Sequence, residues 1–220
     1  EHNAQEKIPV LLDLLKSGQN LAQVSDAGLP SISDPGHDLV KAAIAEDIAV
    51  VTVPGPSAGI SALIASGLVP QPHIFYGFLP RKSGQQKEFF ESKKTYPETQ
   101  IFYESPHRVK ATLENMLEVY GDRSVVLVRE LTKIYEEYQR GRISELIDYL
   151  AETALKGECL LIVAGASLEK EDKADADLLA EIDSLVQSGS KKNQAIKEVA
   201  KKYGRNKSQL YALYHDEGRN

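Results

Sequence analysis

From Ile8 to Gly165 short apolar runs alternate with stretches in which apolar residues recur every three or four positions, and that rhythm limits the chain to packed layers of strands and helices. Helical spacing at Ile8, Leu11, Leu12 and Leu15 stops at Ser17-Gly18; "LAQV" then reads as a strand and "HDLVKAAIAE" as a helix. The alternation continues through strand "AVVTV", helix "AGISALIASG", strand "HIFYGF" and a helix near "GQQKEFFESKK". Strand "TQIFYE", helix "HRVKATLENMLEVYG", strand "SVVLVRE", helix "ISELIDYLAETA" and strand "ECLLIVAG" complete it. The pattern predicts an α/β body with mostly buried strands and with functional loops at the strands' carboxyl ends.

Beyond Gly165 the character changes. The charged stretch "SLEKEDKADAD" reads as a linker, followed by three short helical patterns, the last two joined by "YGRNKS" as in a helix-turn-helix. Net charge is -6, yet Lys191 to Asn220 holds eight Lys/Arg against three acids, +5, which leaves -11 for the rest. An acidic body is unsuited to coating nucleic acid, whereas the basic tail can meet phosphate. No run approaches the roughly 18 apolar residues of a membrane span, so a cytoplasmic protein without a membrane partner is expected. The single cysteine, Cys159, lies in an apolar run, which reads as a buried thiol. With five scattered histidines it makes no zinc-ligand pattern, and no metal is expected. Neither a phosphate loop of the Lys-Ser/Thr type nor a nucleophile elbow is present.

Four loops are loaded with chemistry: "SDAGLPSISDPG", "PGPSAG", "YESPHR" and "RELTKIYEEYQRG". Each alone has a plain structural account. Ser57 can cap the helix it precedes, and Ser105 can do the same with Pro106 in the first turn. The backbone amides at Ser57 would equally suit an anion. Glu104, His107 and Arg108 are left without a structural duty; Glu130 and Lys133 lie close to a strand end, while Glu136 and Glu137 fit a solvated face. Four such loops at equivalent strand ends favour a cleft over coincidence.

In their order, "VSDAGLPSISDPG", "VPGPSAGISALIASG", "GFLPRKSGQQ", "IFYESPHR" and "RELTKIYEEYQRG" resemble the bacterial 16S rRNA (cytidine-2′-O)-methyltransferases of the tetrapyrrole methylase superfamily, the class III S-adenosylmethionine-dependent methyltransferases. The resemblance spans about Glu1 to Gly165, and the basic tail fits the family's helical extension. It implies a two-lobed α/β fold, with lobes at 1–77 and 78–165 and a linker and helical extension at 166–220. It also implies S-adenosylmethionine as cofactor, 16S rRNA of the small ribosomal subunit as partner, and a homodimer. By similarity, Ser25, Asp26, Ala27, Leu29 and Pro30 match the superfamily's Gly-Asp-Pro cofactor loop, here longer and altered to "SDAGLP". Ser57 and Ala58 match a small pair at the cofactor, and Glu104 and Leu131 match contacts from the second lobe. The family's opening strand and Gly-rich loop, which contribute to that site, are not in this sequence. For the chemistry, His107 is the candidate general base, with Glu104 or Glu130 as alternatives; Arg108 and Lys133 are candidates for holding RNA phosphate or a developing alkoxide. A small-molecule methylase of the same fold and a helix-turn-helix regulator are the rival readings.

Overall fold

The computed structural model describes residues 4–166 and 174–216, and the chain divides into two compact units, 1–166 and 167–220. In the first, helices α1 (Ala4–Lys16), α2 (His37–Ala45) and α3 (Ala58–Ser66) precede β1 (His73–Phe78), α4 (Ser83–Lys93), β2 (Thr99–Glu104) and α5 (Val109–Tyr120). Then come β3 (Ser124–Arg129), β4 (Glu137–Arg142), α6 (Ile143–Glu152) and β5 (Cys159–Val163). The five strands form one sheet in the order β1-β2-β5-β3-β4; β1 and β2 are parallel and every other pair is antiparallel.

Period-two alternation sorts the strand side chains between two cores. Val125 and Leu127 of β3 and Cys159, Leu161 and Val163 of β5 join Phe90, Leu113, Met116, Ile143 and Leu146 of α4, α5 and α6. Val126, Val128, Leu160 and Ile162 face the other way, onto Ala62 and Leu63 of α3. A Cβ on Gly59 would stand 3.3 Å from the Phe75 ring, so α3 lies close against the sheet because that position is glycine.

Two of the strands expected from the sequence do not form. "LAQV" and "AVVTV" run without a ladder, and Val24, Val51 and Val53 are more than 80 % exposed. β-branched residues favour a pleated, half-buried surface, and neither segment joins the five-stranded sheet. Conversely all of β4 but its last residue lies inside "RELTKIYEEYQRG", which reads as one loop. Its "EYQRGR" is too polar to signal a strand, because it covers the sheet's edge.

The second unit is a three-helix cluster of α7 (Asp175–Gln187), α8 (Lys192–Tyr203) and α9 (Lys207–Asp216). Leu178, Leu179, Ile182, Ile196, Val199, Leu210 and Tyr214 fill its core. Gly204, at φ 64°, ends α8 in a left-handed turn, and the Asn206 side chain accepts from the Ser208 and Gln209 amides to start α9. The expected helix-turn-helix is therefore present. Most of the linker, residues 167–173, and Arg219 of the basic tail lie outside the described residues.

Candidate active site

Sheet register gathers the loops at one end. Glu104 pairs with Cys159, Cys159 with Arg129 and Arg129 with Glu137, so the segments after β2, before β5 and after β3 open along a single edge. The loop after β1 joins them, since β1 runs parallel to β2.

Glu104 is buried, with a fully occluded side chain. One carboxylate oxygen accepts from the Ser105 amide at 2.8 Å; the other accepts from the Thr112 hydroxyl at 2.8 Å and lies 3.2 Å from the Arg108 guanidinium. Arg108 turns inward and also donates to the Pro80 carbonyl at 2.7 Å and the Leu79 carbonyl at 3.3 Å. Gln86 donates to Pro80 O and accepts from Asn115, which in turn accepts from Ser83. This network ties the loop "LPRKS" to α5 and leaves Arg81 and Lys82 exposed, with no ion-pair partner among the described residues. The Ser105 cap does not form: α5 starts at Val109, and Ser105 belongs to the turn before it, its carbonyl accepting from the Arg108 amide. His107, on that turn, is exposed.

The loop after β3 is strained. Glu130 and Thr132 have φ of 50° and 65°, values that non-glycine residues adopt at a cost of about 1–3 kcal/mol each. Glu130 is held by the Glu158 amide at 2.9 Å and by Lys133 at 3.0 Å, and Lys133 also reaches Glu158 at 2.9 Å. These bonds, the Glu158 amide first, keep the Glu130 carboxyl below the ordinary carboxylate range, and the two acids raise Lys133. Leu131 packs half-buried against the α3-side core. Glu137, read as a solvated face, instead starts β4 and pairs with Arg129 at 2.7 Å, which lowers its pKa. Cys159 is buried, and desolvation pushes its thiol up to about 11.

The two loops of the first 60 residues meet. A Cβ on Gly28 would come within 3.2 Å of the Pro56 carbonyl, and one on Gly55 within 3.1 Å of the Leu29 side chain, so both backbones approach closely where neither carries a side chain. Ser25 accounts for the turn, its hydroxyl donating to the Gly28 carbonyl at 3.1 Å. Asp26, Ala27 and Ala58 are exposed; Ser25, Leu29, Pro30 and Ser57 are half-buried. Ser57 occupies the N-cap position of α3 without a side-chain cap bond, and of the first amides of the helix that of Gly59 is engaged by Tyr103. Tyr103, on β2, links this region to the sheet edge. Burial raises its pKa, the Gly59 amide opposes that, and Asp34 is near enough to add to it.

A family model described as Tetrapyrrole (Corrin/Porphyrin) Methylases matches residues 1–147. The chain belongs to the tetrapyrrole methylase family. It is 69 % identical over 218 residues to the "Ribosomal RNA small subunit methyltransferase I" of Streptococcus pyogenes serotype M3, covering 98 % of this chain and 76 % of that protein. To the Bacillus subtilis protein of the same name it is 44 % identical over 220 residues, covering 98 % and 75 %. Among solved structures it resembles the methyltransferase CobJ, with a TM-score of 0.55 at 16 % identity over 74 % of this chain and 71 % of that one. Diphthine synthase gives a TM-score of 0.54 at 12 % identity over 74 % and 66 %. At such identities these two share the tetrapyrrole methylase fold and carry nothing further.

Four participants of this candidate site were not among the residues singled out from the sequence: Thr112 and Gln86, which complete the Glu104 network, Glu158, which completes the Glu130–Lys133 cluster, and Tyr103. Helical spacing of Gln86 and Thr112 on facing helices was the one available signal; Glu158 gave none. Among the described residues no group of three His, Cys, Asp or Glu is placed to hold a metal ion. No described helix is long and apolar enough to cross a membrane.

Proposed function

We propose that the protein methylates the ribose 2′-hydroxyl of a cytidine in 16S rRNA of the small ribosomal subunit, with S-adenosylmethionine as the methyl donor. The observation that carries this reading is the 69 % likeness to an rRNA small subunit methyltransferase over 98 % of the chain, a span that includes every loop at the sheet edge. The likeness to CobJ is one of fold alone, so a tetrapyrrole acceptor has weaker support.

The residues fit the cofactor at the paired loops, where Gly28 and Gly55 leave backbone approachable and Ser57 leaves an uncapped helix start. Asp26, Ser25 and Ala27 with Ser57 and Ala58 would hold it from this side, and the main chain around Glu104 and Leu131 from the other. When bound, S-adenosylmethionine supplies an electrophilic methyl group on a cationic sulfonium. The protein's main task is alignment, which in well-oriented systems lowers a barrier by roughly 7–11 kcal/mol. Of the three candidate bases, the Glu104 carboxylate is enclosed with Arg108, and Glu130 is tied to Lys133 and kept a weak base. His107, exposed on the turn between β2 and α5, is left to take the hydroxyl proton, a role that contributes about 10²–10⁴-fold. Arg108 acts by positioning: it fixes the loop from which Arg81 and Lys82 can meet phosphate. Lys133, braced by two carboxylates, faces the developing alkoxide or the RNA backbone.

A cytoplasmic homodimer completes the reading. Ile64 and Ile134, 75 % and 91 % exposed, are apolar positions that a second copy would cover. Incubation with methyl-labelled S-adenosylmethionine and purified ribosomal subunits tests the function. Label in the RNA of the small subunit alone is expected; label transferred instead to a tetrapyrrole acceptor would replace this reading with its rival. Light scattering of the protein in solution reads the oligomeric state.

A further inference from the structure

The helix-turn-helix is absorbed by none of this chemistry, and its surface is unevenly made. Seven Lys/Arg fall between Lys191 and Lys207. Two of them are neutralised within the unit, Lys202 by Glu181 at 2.6 Å and Arg205 by Asp175, both acids of α7. Lys197, Lys201 and Lys207 are exposed and have no ion-pair partner among the described residues. On α9, Leu210 and Tyr214 point into the core, and Tyr214 donates to Asp183 at 2.7 Å. The opposite side carries Ser208, Tyr211, Ala212 and His215 at helical spacing. Tyr211 is 42 % exposed, and its ring lies 4.3 Å from that of His215. A large aromatic kept outward on a helix that already has its core residues is doing nothing for packing. The first amides of α9 are taken by Asn206, so the helix start is not where an anion would bind; phosphate affinity at this surface falls to the lysines.

We infer that the outer face of α9, with the Tyr211–His215 ring pair and Lys207, together with Lys197 and Lys201 on α8 of the same unit, is a docking surface for single-stranded RNA. Unpaired bases stack on exposed aromatic rings while lysines track the backbone, a mode that suits the unpaired loops of folded RNA. The inference rests on the RNA reading of the active site for the identity of the nucleic acid, but not for its geometry.

The test uses the whole protein and a fluorescent single-stranded oligoribonucleotide of about a dozen nucleotides, titrated by anisotropy between 50 and 200 mM salt, with duplex DNA of the same sequence as competitor. Tyr211→Ala should weaken RNA binding by about tenfold, the loss of one stacked base, and Tyr211→Phe should restore it. The triple substitution Lys197→Ala, Lys201→Ala, Lys207→Ala should make the plot of log affinity against log salt shallower by roughly 2, at about 0.7 for each phosphate on a single strand. Both variants should bind S-adenosylmethionine like the parent and keep its helical circular dichroism, since all four side chains are exposed. Unchanged RNA affinity in Tyr211→Ala, an unchanged salt slope in the triple variant, or duplex DNA competing as well as RNA would each overturn the inference. A protein that methylates no RNA, yet loses oligonucleotide binding in both variants, would sink the proposed reaction and leave this surface standing.

Discussion

Glu104→Gln is the sharpest perturbation of the site, because the replacement keeps the side chain's shape and changes only charge and hydrogen-bond direction. The carboxylate accepts from Ser105 N, Thr112 Oγ1 and Arg108 within a fully occluded position. An amide offers one acceptor oxygen, and whichever way it is turned its NH2 group faces a donor: the Ser105 amide in one orientation, Arg108 in the other. A charge-assisted bond contributes about 1.5–3 kcal/mol, and a donor left unsatisfied costs about 1–3 kcal/mol. Together these agree with the roughly 3–5 kcal/mol lost when one partner of a buried ion pair is removed. For a unit of this size that is a fall in Tm of about 6–20 °C. Thermal unfolding followed by far-UV circular dichroism measures it. S-adenosylmethionine affinity well below the transition should stay within about threefold, because the carboxylate is enclosed. A variant that melts with the parent but loses cofactor binding would show that Glu104 touches the cofactor directly, and would refute the positioning role assigned to the network.

Asp26→Ala should weaken S-adenosylmethionine binding by about 1–3 kcal/mol in calorimetry, the range for a hydrogen bond to a charged group; unchanged affinity removes Asp26 from the site. Gly28→Ala places a Cβ at φ 71° against the Pro56 carbonyl and should destabilise the paired loops by about 1–2 kcal/mol, read as a drop in both Tm and cofactor affinity. Arg129 holds Glu137 below its ordinary pKa, so this pair contributes stability above pH 4.5 or so that is lost as pH falls through the lowered value. Acid titration of Glu137→Gln should show a flatter loss of stability in that window than the parent. Cys159, buried and raised to about 11, should resist alkylation at pH 8 until urea unfolds the protein; rapid labelling of the native protein would contradict its place in the core.

The helices of the first unit were legible because their apolar spacing reports a buried stripe directly, as at Leu113 and Met116 of α5. Strands were legible only where composition and pairing agree. "SVVLVRE" and "ECLLIVAG" do both, whereas "AVVTV" has the composition and lacks a ladder, and "EYQRGR" has the ladder and lacks the composition. Pairing direction is a property of two segments at once, and no single run shows that β2, β5 and β3 alternate. In the site, the loops could be found because Gly, Pro and charged residues cluster at strand ends. What those charges do could not be, since the same Glu104 and Arg108 that look unemployed in sequence are joined by Thr112 from the next turn of α5 and by the carbonyls of Leu79 and Pro80. The helix-turn-helix was readable from Gly204 and two short amphipathic runs; that Lys202 and Arg205 are neutralised and Lys197, Lys201 and Lys207 are not depends on where α7 lies.

Transfer of the methyl group to a ribose oxygen of 16S rRNA can be read directly. Small subunits from cells lacking the native enzyme, treated with the protein and S-adenosylmethionine, can be digested to nucleosides and analysed by mass spectrometry. Close to one equivalent of 2′-O-methylcytidine per 16S rRNA is predicted, falling sharply with His107→Ala. A methyl group found on a base, or no methylated nucleoside while cofactor binding is intact, would contradict it.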